Sequence, residues 1–453
     1  MLPAFSAPAV SGASLVPWRE DIPVPALPLG SERLSLLGKV AFASLCLLVF
    51  SIPWEDAVTI AGFGTIVRMI GAVAVGLGAM AMLEKGKLRR PTLGHLLLVL
   101  FVMVAALSYM WSLYPEGTLT QTSTYIQLLI MVWLIWELAA GLSQHTRLMQ
   151  AYILGTCVSA LDTIYEFFFH QQSVYERYAG AKMDANDLGL MIALSIPFSY
   201  YLMIQSRGKI VWLYRLHMIL ALTTVALTAS RGAAFSTLVA LAIVPLTQSR
   251  LTRRQKTAVL LSLALCVSGI LFFAPETSWE RLSTVPGEFE RGTMSGRTLI
   301  WSAGWQIFRE HPVIGIGANA FRVVVSRVLA EPIRLGAASP APPAHNTFLS
   351  VLVEQGVIGF ALFCALLGWL ALTVRAMPAL PRQLWSVSIT VWAVGVSSLT
   401  WEMRKPTWFL FGLLMAQAAV WFRGSAAMRS ATYLMDGDDL RPQAQKATFA
   451  LTD

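Results

Sequence analysis

An all-α, polytopic integral membrane fold is predicted by three features of this 453-residue chain: 56% of its residues are hydrophobic, only 13% are charged, and the apolar residues gather into long segments separated by short charged ones. The mean hydropathy is +0.62, and water-soluble domains are not built that way. A hydrocarbon core about 30 Å thick needs roughly 20 apolar residues per crossing helix, and about twelve such windows fit along the sequence. Backbone groups in lipid must be satisfied within a helix or a closed barrel, and these runs lack the alternation of barrel strands.

The chain opens with Pro3, Pro8, Pro17, Pro23, Pro25 and Pro28, without the charged start and apolar run of a secretory signal. Residues 1–34 therefore read as a disordered cytoplasmic tail. Residues 35–274 hold nine windows, at 35–53, 66–83, 92–111, 121–141, 148–169, 187–204, 211–228, 232–247 and 257–274. Three more, at 347–373, 384–401 and 407–422, occupy residues 347–423, and residues 424–453 form a second cytoplasmic tail. Cys46, Cys157, Cys266 and Cys364 all fall in apolar windows, where a thiol behaves as a small hydrophobe, so neither a disulfide framework nor a metal site is implied.

Loops retained in the cytoplasm carry excess Lys and Arg. One alternate set is rich in them: Lys85, Lys87, Arg89 and Arg90; Arg207, Lys209 and Arg215; Arg250, Arg253, Arg254 and Lys256; Arg375 and Arg382; Arg423 and Arg429. An even number of spans then leaves both termini inside. The net charge of +9 reports topology and contact with anionic lipid, and argues poorly for nucleic-acid binding.

Residues 275–346 are too long for a simple connector and fall on the periplasmic side. Long loops are usually functional or disordered, and this one has a pattern of its own. From Ser295 to Glu310, Leu299, Ile300, Ala303, Ile307 and Phe308 recur at helical spacing, with Arg297, Gln306 and Arg309 between them, which predicts an amphipathic helix. His311-Pro312 ends it, and a short apolar stretch with Arg322 and Arg327 follows. The loop also carries Arg281, Arg291 and Arg334, against the charge trend for that face. Arginine suits phosphate through its planar, permanently charged fork.

After this loop, His345-Asn346 is followed nine residues later by Gly356-Val357-Ile358-Gly359. This resembles the His-[Asn/Ser/Gln]-x9-Gly-x-x-Gly pattern of the O-antigen ligase superfamily, which includes O-antigen ligases and O-antigen or exopolysaccharide polymerases. Ser230-Arg231-Gly232, Gly296-Arg297 with Trp301, and His311-Pro312 with Gly315-Ile316-Gly317 are also similar to it. The likeness covers about residues 180–420. It implies a metal-independent, cofactor-free inner-membrane glycosyltransferase acting on the periplasmic face. The donor would be a glycan on undecaprenyl diphosphate, and the acceptor another lipid-linked glycan or lipid A-core. A chain-length or export protein would be a further partner. The resemblance makes His345 the catalytic residue and Arg231 and Arg297 the diphosphate ligands, with Arg281 or Arg291 as alternatives to Arg297.

A neutral imidazole can accept the proton of an acceptor hydroxyl, and guanidinium groups in a water-poor site stabilise a departing diphosphate. Arg322, Asn346 and Asn186 are further candidates for substrate contact. Simpler readings compete: Arg231 snorkelling to the interface, Arg297 on a solvated helix face, and Asp184, Asn186 and Asp187, which could line the sugar site, capping a helix. Gly356 and Gly359 are expected to let membrane helices approach closely. Gly315-x-Gly317-x-x-Ala320 follows a helix end rather than a strand, so it is not a dinucleotide fingerprint. Asp436-Gly437-Asp438 lies in the polar tail. The competing function is a non-enzymatic transporter or flippase of lipid-linked glycan, although the internal repeats common in transporters are not evident.

Overall fold

A computed structural model describes residues 34–60, 62, 64–169, 178–247, scattered positions from 252 to 264, 297–330 and 343–439. Among these the fold is a helical bundle. Its elements are α1 (Leu36–Ser51), α2 (Ile66–Lys85), α3 (Leu93–Leu107), α4 (Pro115–Leu138), α5 (Leu142–Phe169), α6 (Ala185–Gln205), α7 (Ile210–Leu227), α8 (Arg231–Thr247), α9 (Arg297–Glu310), α10 (Phe321–Ala330), α11 (Thr347–Arg375), α12 (Ala379–Val396) and α13 (Lys405–Asp439). The one described sheet is a two-residue ribbon between α1 and α2, β1 (Thr59–Ile60) antiparallel to β2 (Gly64–Thr65).

Seven helices are long and apolar enough to cross a membrane: α1 and α3 with their short 3-10 extensions, α2, α4, α6, α7 and α11. Helices α5, α8, α12 and α13 overlie four more of the expected windows. The window 257–274 lies almost wholly outside the described residues. The chain is thus a multi-pass membrane protein, and its surface agrees: on α7, Trp212, Leu213, Leu216 and Ile219 are each more than 60% exposed. A large apolar stripe of that kind is a liability in water and the ordinary lipid-facing surface in a bilayer.

Among the seven helices long and apolar enough to cross a membrane, α6 is the most enclosed, with 83% of its apolar window buried against 22% for α2. It packs against α5, α7, α8 and α12. Close packing here is aromatic: Tyr152 of α5 stacks on Phe409 of α13 with centroids 5.3 Å apart, and Phe198 of α6 meets Trp385 of α12 edge-on at 6.1 Å. Buried indole N–H groups need acceptors. Trp385 donates to Gln417 and Trp392 to Thr407.

The amphipathic helix expected from Ser295 is described from Arg297. It buries Ile300, Ala303, Gly304 and Ile307, while Leu299 points outward at 52% exposure. These residues form a small second core with Phe321, Val325 and Val353, which fixes α9 and α10 against the first half of α11.

Candidate functional site

The sequence-predicted residues that the structure describes gather at one end of the bundle, built around the start of α11. Asn346 is its N-cap, accepting the backbone N–H of Leu349 at 3.0 Å. His345, just before it, holds φ 48°, a left-handed conformation that non-glycine side chains seldom adopt and that clusters at functional sites. On its other side, the carbonyl of Ala344 accepts the Trp301 indole N–H at 2.9 Å, tying the approach to α9.

His345 is partly buried. Burial lowers its pKa below the ordinary value, and the Arg297 charge lowers it further. Asp184 pulls it back up, and Arg322 adds a smaller depression. Histidine, two guanidinium groups and a carboxylate from four segments therefore share one field. Asp184 caps α6 by accepting the N–H groups of Asn186 and Asp187, which puts the partly buried Asn186 in the turn next to this group.

Arg231 starts α8 at the same end, after a tight turn in which Ala229 has φ 47° and Ser230 caps the helix through Ala233 N–H. A Cβ on Gly189 of α6 would lie 2.6 Å from Ala233 Cβ, and one on Gly232 would lie 2.6 Å from Ser398 Oγ. The start of α8 is thus wedged between α6 and the end of α12. Arg297 is the first residue of α9 and Arg322 is exposed on α10. Arg281 and Arg291 lie outside the described residues.

A buried polar frame holds these parts, and the motif did not announce it. Asp187, grouped in the sequence with the capping residues, instead pairs with Arg404 and accepts the Trp401 indole N–H at 2.8 Å. Thr347 Oγ1 donates to Leu399 O and accepts Trp401 N–H, both at 2.8 Å. Ser350 Oγ donates to Glu402 at 2.9 Å. Burial pushes the Glu402 carboxyl up to about 7 against hydrogen bonds that lower it. Lys405 pairs with Glu55 of the α1–α2 connection. A signal for part of this frame was present: Glu354 is a carboxylate within an apolar window, where ionisable groups are costly.

Gly356 has a conformational role besides a close approach, and the approach is to the backbone after α9 and not to a neighbouring membrane helix. Its φ of 63° and ψ of −167° interrupt α11, a region open essentially to glycine alone. The backbone groups freed by the break are taken up by the segment after α9. Ile316 N–H donates to Val353 O at 3.1 Å, Gly317 N–H to Glu354 O at 2.9 Å, and Val357 N–H to Pro312 O at 2.9 Å. Cβ atoms at Gly315 and Gly356 would fall 2.4 Å from Glu354 O and 2.3 Å from Val313 O. Gly359 does have a packing role, but toward its own helix: a Cβ there would lie 2.3 Å from Gln355 Cβ. The Glu354 carboxylate accepts Asn319 N–H at 2.8 Å and Phe321 N–H at 3.2 Å. It thereby caps α10, the helix that carries Arg322. Among the described residues, no group of three or more His, Cys, Asp or Glu is placed to hold a metal ion.

Residues 216–364 match the family model "O-Antigen ligase" (Wzy_C). The chain is also similar to "Exopolysaccharide production protein ExoQ" of Rhizobium meliloti (strain 1021), 24% identical over 282 residues, or 60% of this chain. That match spans 63% of the relative's length. The two findings support placing the chain in the superfamily of O-antigen ligases and polysaccharide polymerases.

Proposed function

We propose that this protein is an inverting glycosyltransferase that moves a glycan from a polyprenyl diphosphate carrier, of the undecaprenyl type, to an acceptor sugar on the periplasmic face of the inner membrane. The observation that carries the reading is the setting of His345. It is held in left-handed backbone at the start of an interrupted helix, within the field of Arg297 and Arg322.

The chemistry follows from that setting. Nearby cations and burial keep the imidazole neutral, so at neutral pH it has a lone pair for the proton of the acceptor hydroxyl. The hydroxyl oxygen attacks the anomeric carbon while the glycosidic bond to the diphosphate breaks from the opposite side, which inverts that centre. The leaving diphosphate takes the electron pair, and Arg231 and Arg297 stabilise its charge. Arg297 favours the leaving group and also depresses the base, so one charge serves both halves of the step.

Exopolysaccharide production, named for the relative, favours lengthening of a polysaccharide over ligation to lipid A-core. A deletion strain complemented with wild type, His345→Ala or Arg231→Ala at matched membrane abundance tests the reading through surface polysaccharide length and accumulated lipid-linked intermediate. Single repeat units from His345→Ala support polymerisation. Full-length chains held on the carrier support ligation. Wild-type polysaccharide from both variants overturns the catalytic assignment.

A further inference from the structure

The opposite end of the bundle carries two adjoining cavities that the proposed reaction does not use. Helices α2 and α3 follow each other in the chain, yet both pack on α4. Between them runs a cleft of about 540 Å³ lined by Val75, Ala79 and Met82 of α2, Leu96 and Val99 of α3, and Trp133 of α4. It opens on the lipid-facing surface, where Val75, Leu96 and Val99 are exposed.

Where α2 ends, the cleft meets a second cavity of about 810 Å³, and Met82 lines both. Four cations line this cavity, Lys85, Lys87, Arg89 and Arg423, against two carboxylates, Glu84 and Glu137. Glu84 accepts Ser35 Oγ at 2.5 Å, Glu137 accepts the Arg89 backbone N–H at 2.8 Å, and the Arg89 guanidinium donates to Trp136 O. The Arg89 guanidinium lies over the Trp136 ring, 4.0 Å from its centroid. Its neighbour in that aromatic cluster, His95, sits 4.6 Å from Trp136 and lines the apolar cleft. A fixed cation therefore stands where the polar cavity and the apolar cleft join. Lys405 and Arg423 of α13 mark the two ends: the first pairs with Glu55 near the candidate active site, and the second lines this cavity.

We propose that the two cavities form one binding site for an anionic phospholipid, with its phosphate headgroup among Lys85, Lys87, Arg89 and Arg423 and an acyl chain in the α2–α3 cleft. A soluble anion would have no use for the cleft, and a purely apolar ligand none for the four cations. A bilayer phospholipid supplies both chemistries in the order in which the cavities present them, and basic pockets between membrane helices are suited to such headgroups.

The test is native mass spectrometry of the full chain released from detergent, titrated separately with phosphatidylglycerol, phosphatidylcholine and inorganic phosphate. The wild type is expected to retain one phosphatidylglycerol with at least about tenfold preference over phosphatidylcholine. The double variant Lys87→Glu with Arg423→Glu should lose that preference. Ala79→Trp, which fills the cleft, should lose the bound lipid while its lipid-free melting temperature stays that of wild type. Val99→Trp makes the same test from the lipid-facing wall if Ala79→Trp does not fold. Equal retention of both phospholipids, or unchanged retention in the charge and cleft variants, overturns the proposal. So does an equal affinity for inorganic phosphate alone, which would make the basic cavity a free-anion site.

Discussion

The two ends of this bundle differ in how many polar groups they bury. At the His345 end, side chains distant in sequence are buried against one another: Asp187 with Trp401 and Arg404, Ser350 with Glu402, and Glu354 with the start of α10. At the other end helices close in short turns, such as the one where Gly86 N–H returns to Met82 O and Leu83 O, and most of the Lys and Arg there are exposed. The difference teaches where a membrane bundle needs polar side chains inside. A helix that ends in a short solvated turn satisfies its own backbone. A helix interrupted at Gly356, or a connection folded back as 397–404 is, leaves N–H and C=O groups that other segments must meet.

Breaking the interruption should have the largest effect. Gly356→Val forces a branched side chain into φ 63° and against Val313 O. Loss of folded protein is expected, read as membrane abundance and as the monodisperse fraction in detergent. Normal yield would mean that α11 can run straight and that the interruption is dispensable. Glu354→Ala comes next. It leaves Asn319 N–H and Phe321 N–H without their acceptor, at a cost of about 1–3 kcal/mol. Lower thermal stability is expected, with accelerated hydrogen exchange concentrated in α10.

Arg297→Ala tests how the polar end sets its chemistry. Removing that cation relieves one of the two main depressions on the His345 pKa, so the imidazole should hold its proton to higher pH. Because the neutral form is the base, the acid limb of kcat/KM is expected below about 6.5 in wild type and at higher pH in the variant. An unmoved limb with only a raised KM would leave Arg297 as a binding group alone. The smallest effect is expected at the other end. Lys87 is exposed, and Lys87→Ala should change lipid-free stability by no more than about 0.5 kcal/mol. A larger loss would mean that the basic end is as tightly cross-linked as the His345 end.

Much of the architecture was legible in the order of residues. Apolar windows located most of the described helices, the periodicity near 300 gave α9, and His345, Asn346 and the two glycines stood out through their resemblance to a family pattern. The mechanism assigned to Gly356 was not legible, because a glycine that permits close packing and one that permits positive φ look identical in a string of letters. Asp187 was grouped with the helix-capping residues because its partner Arg404 is 217 positions away.

By itself the sequence determined that this chain is helical and membrane-embedded, because those properties depend on composition and on local period, which each segment carries alone. Which histidine and arginines to examine came from the resemblance of a short motif to a known family. Only the tertiary structure decided that Arg297, Arg322 and Asp184 act on His345, that the segment after α9 fills the break in α11, and that α2 and α3 part to leave a cleft. Those are contacts between segments distant in sequence or in packing. They follow from how backbone groups and side-chain volumes are satisfied once the helices have assembled.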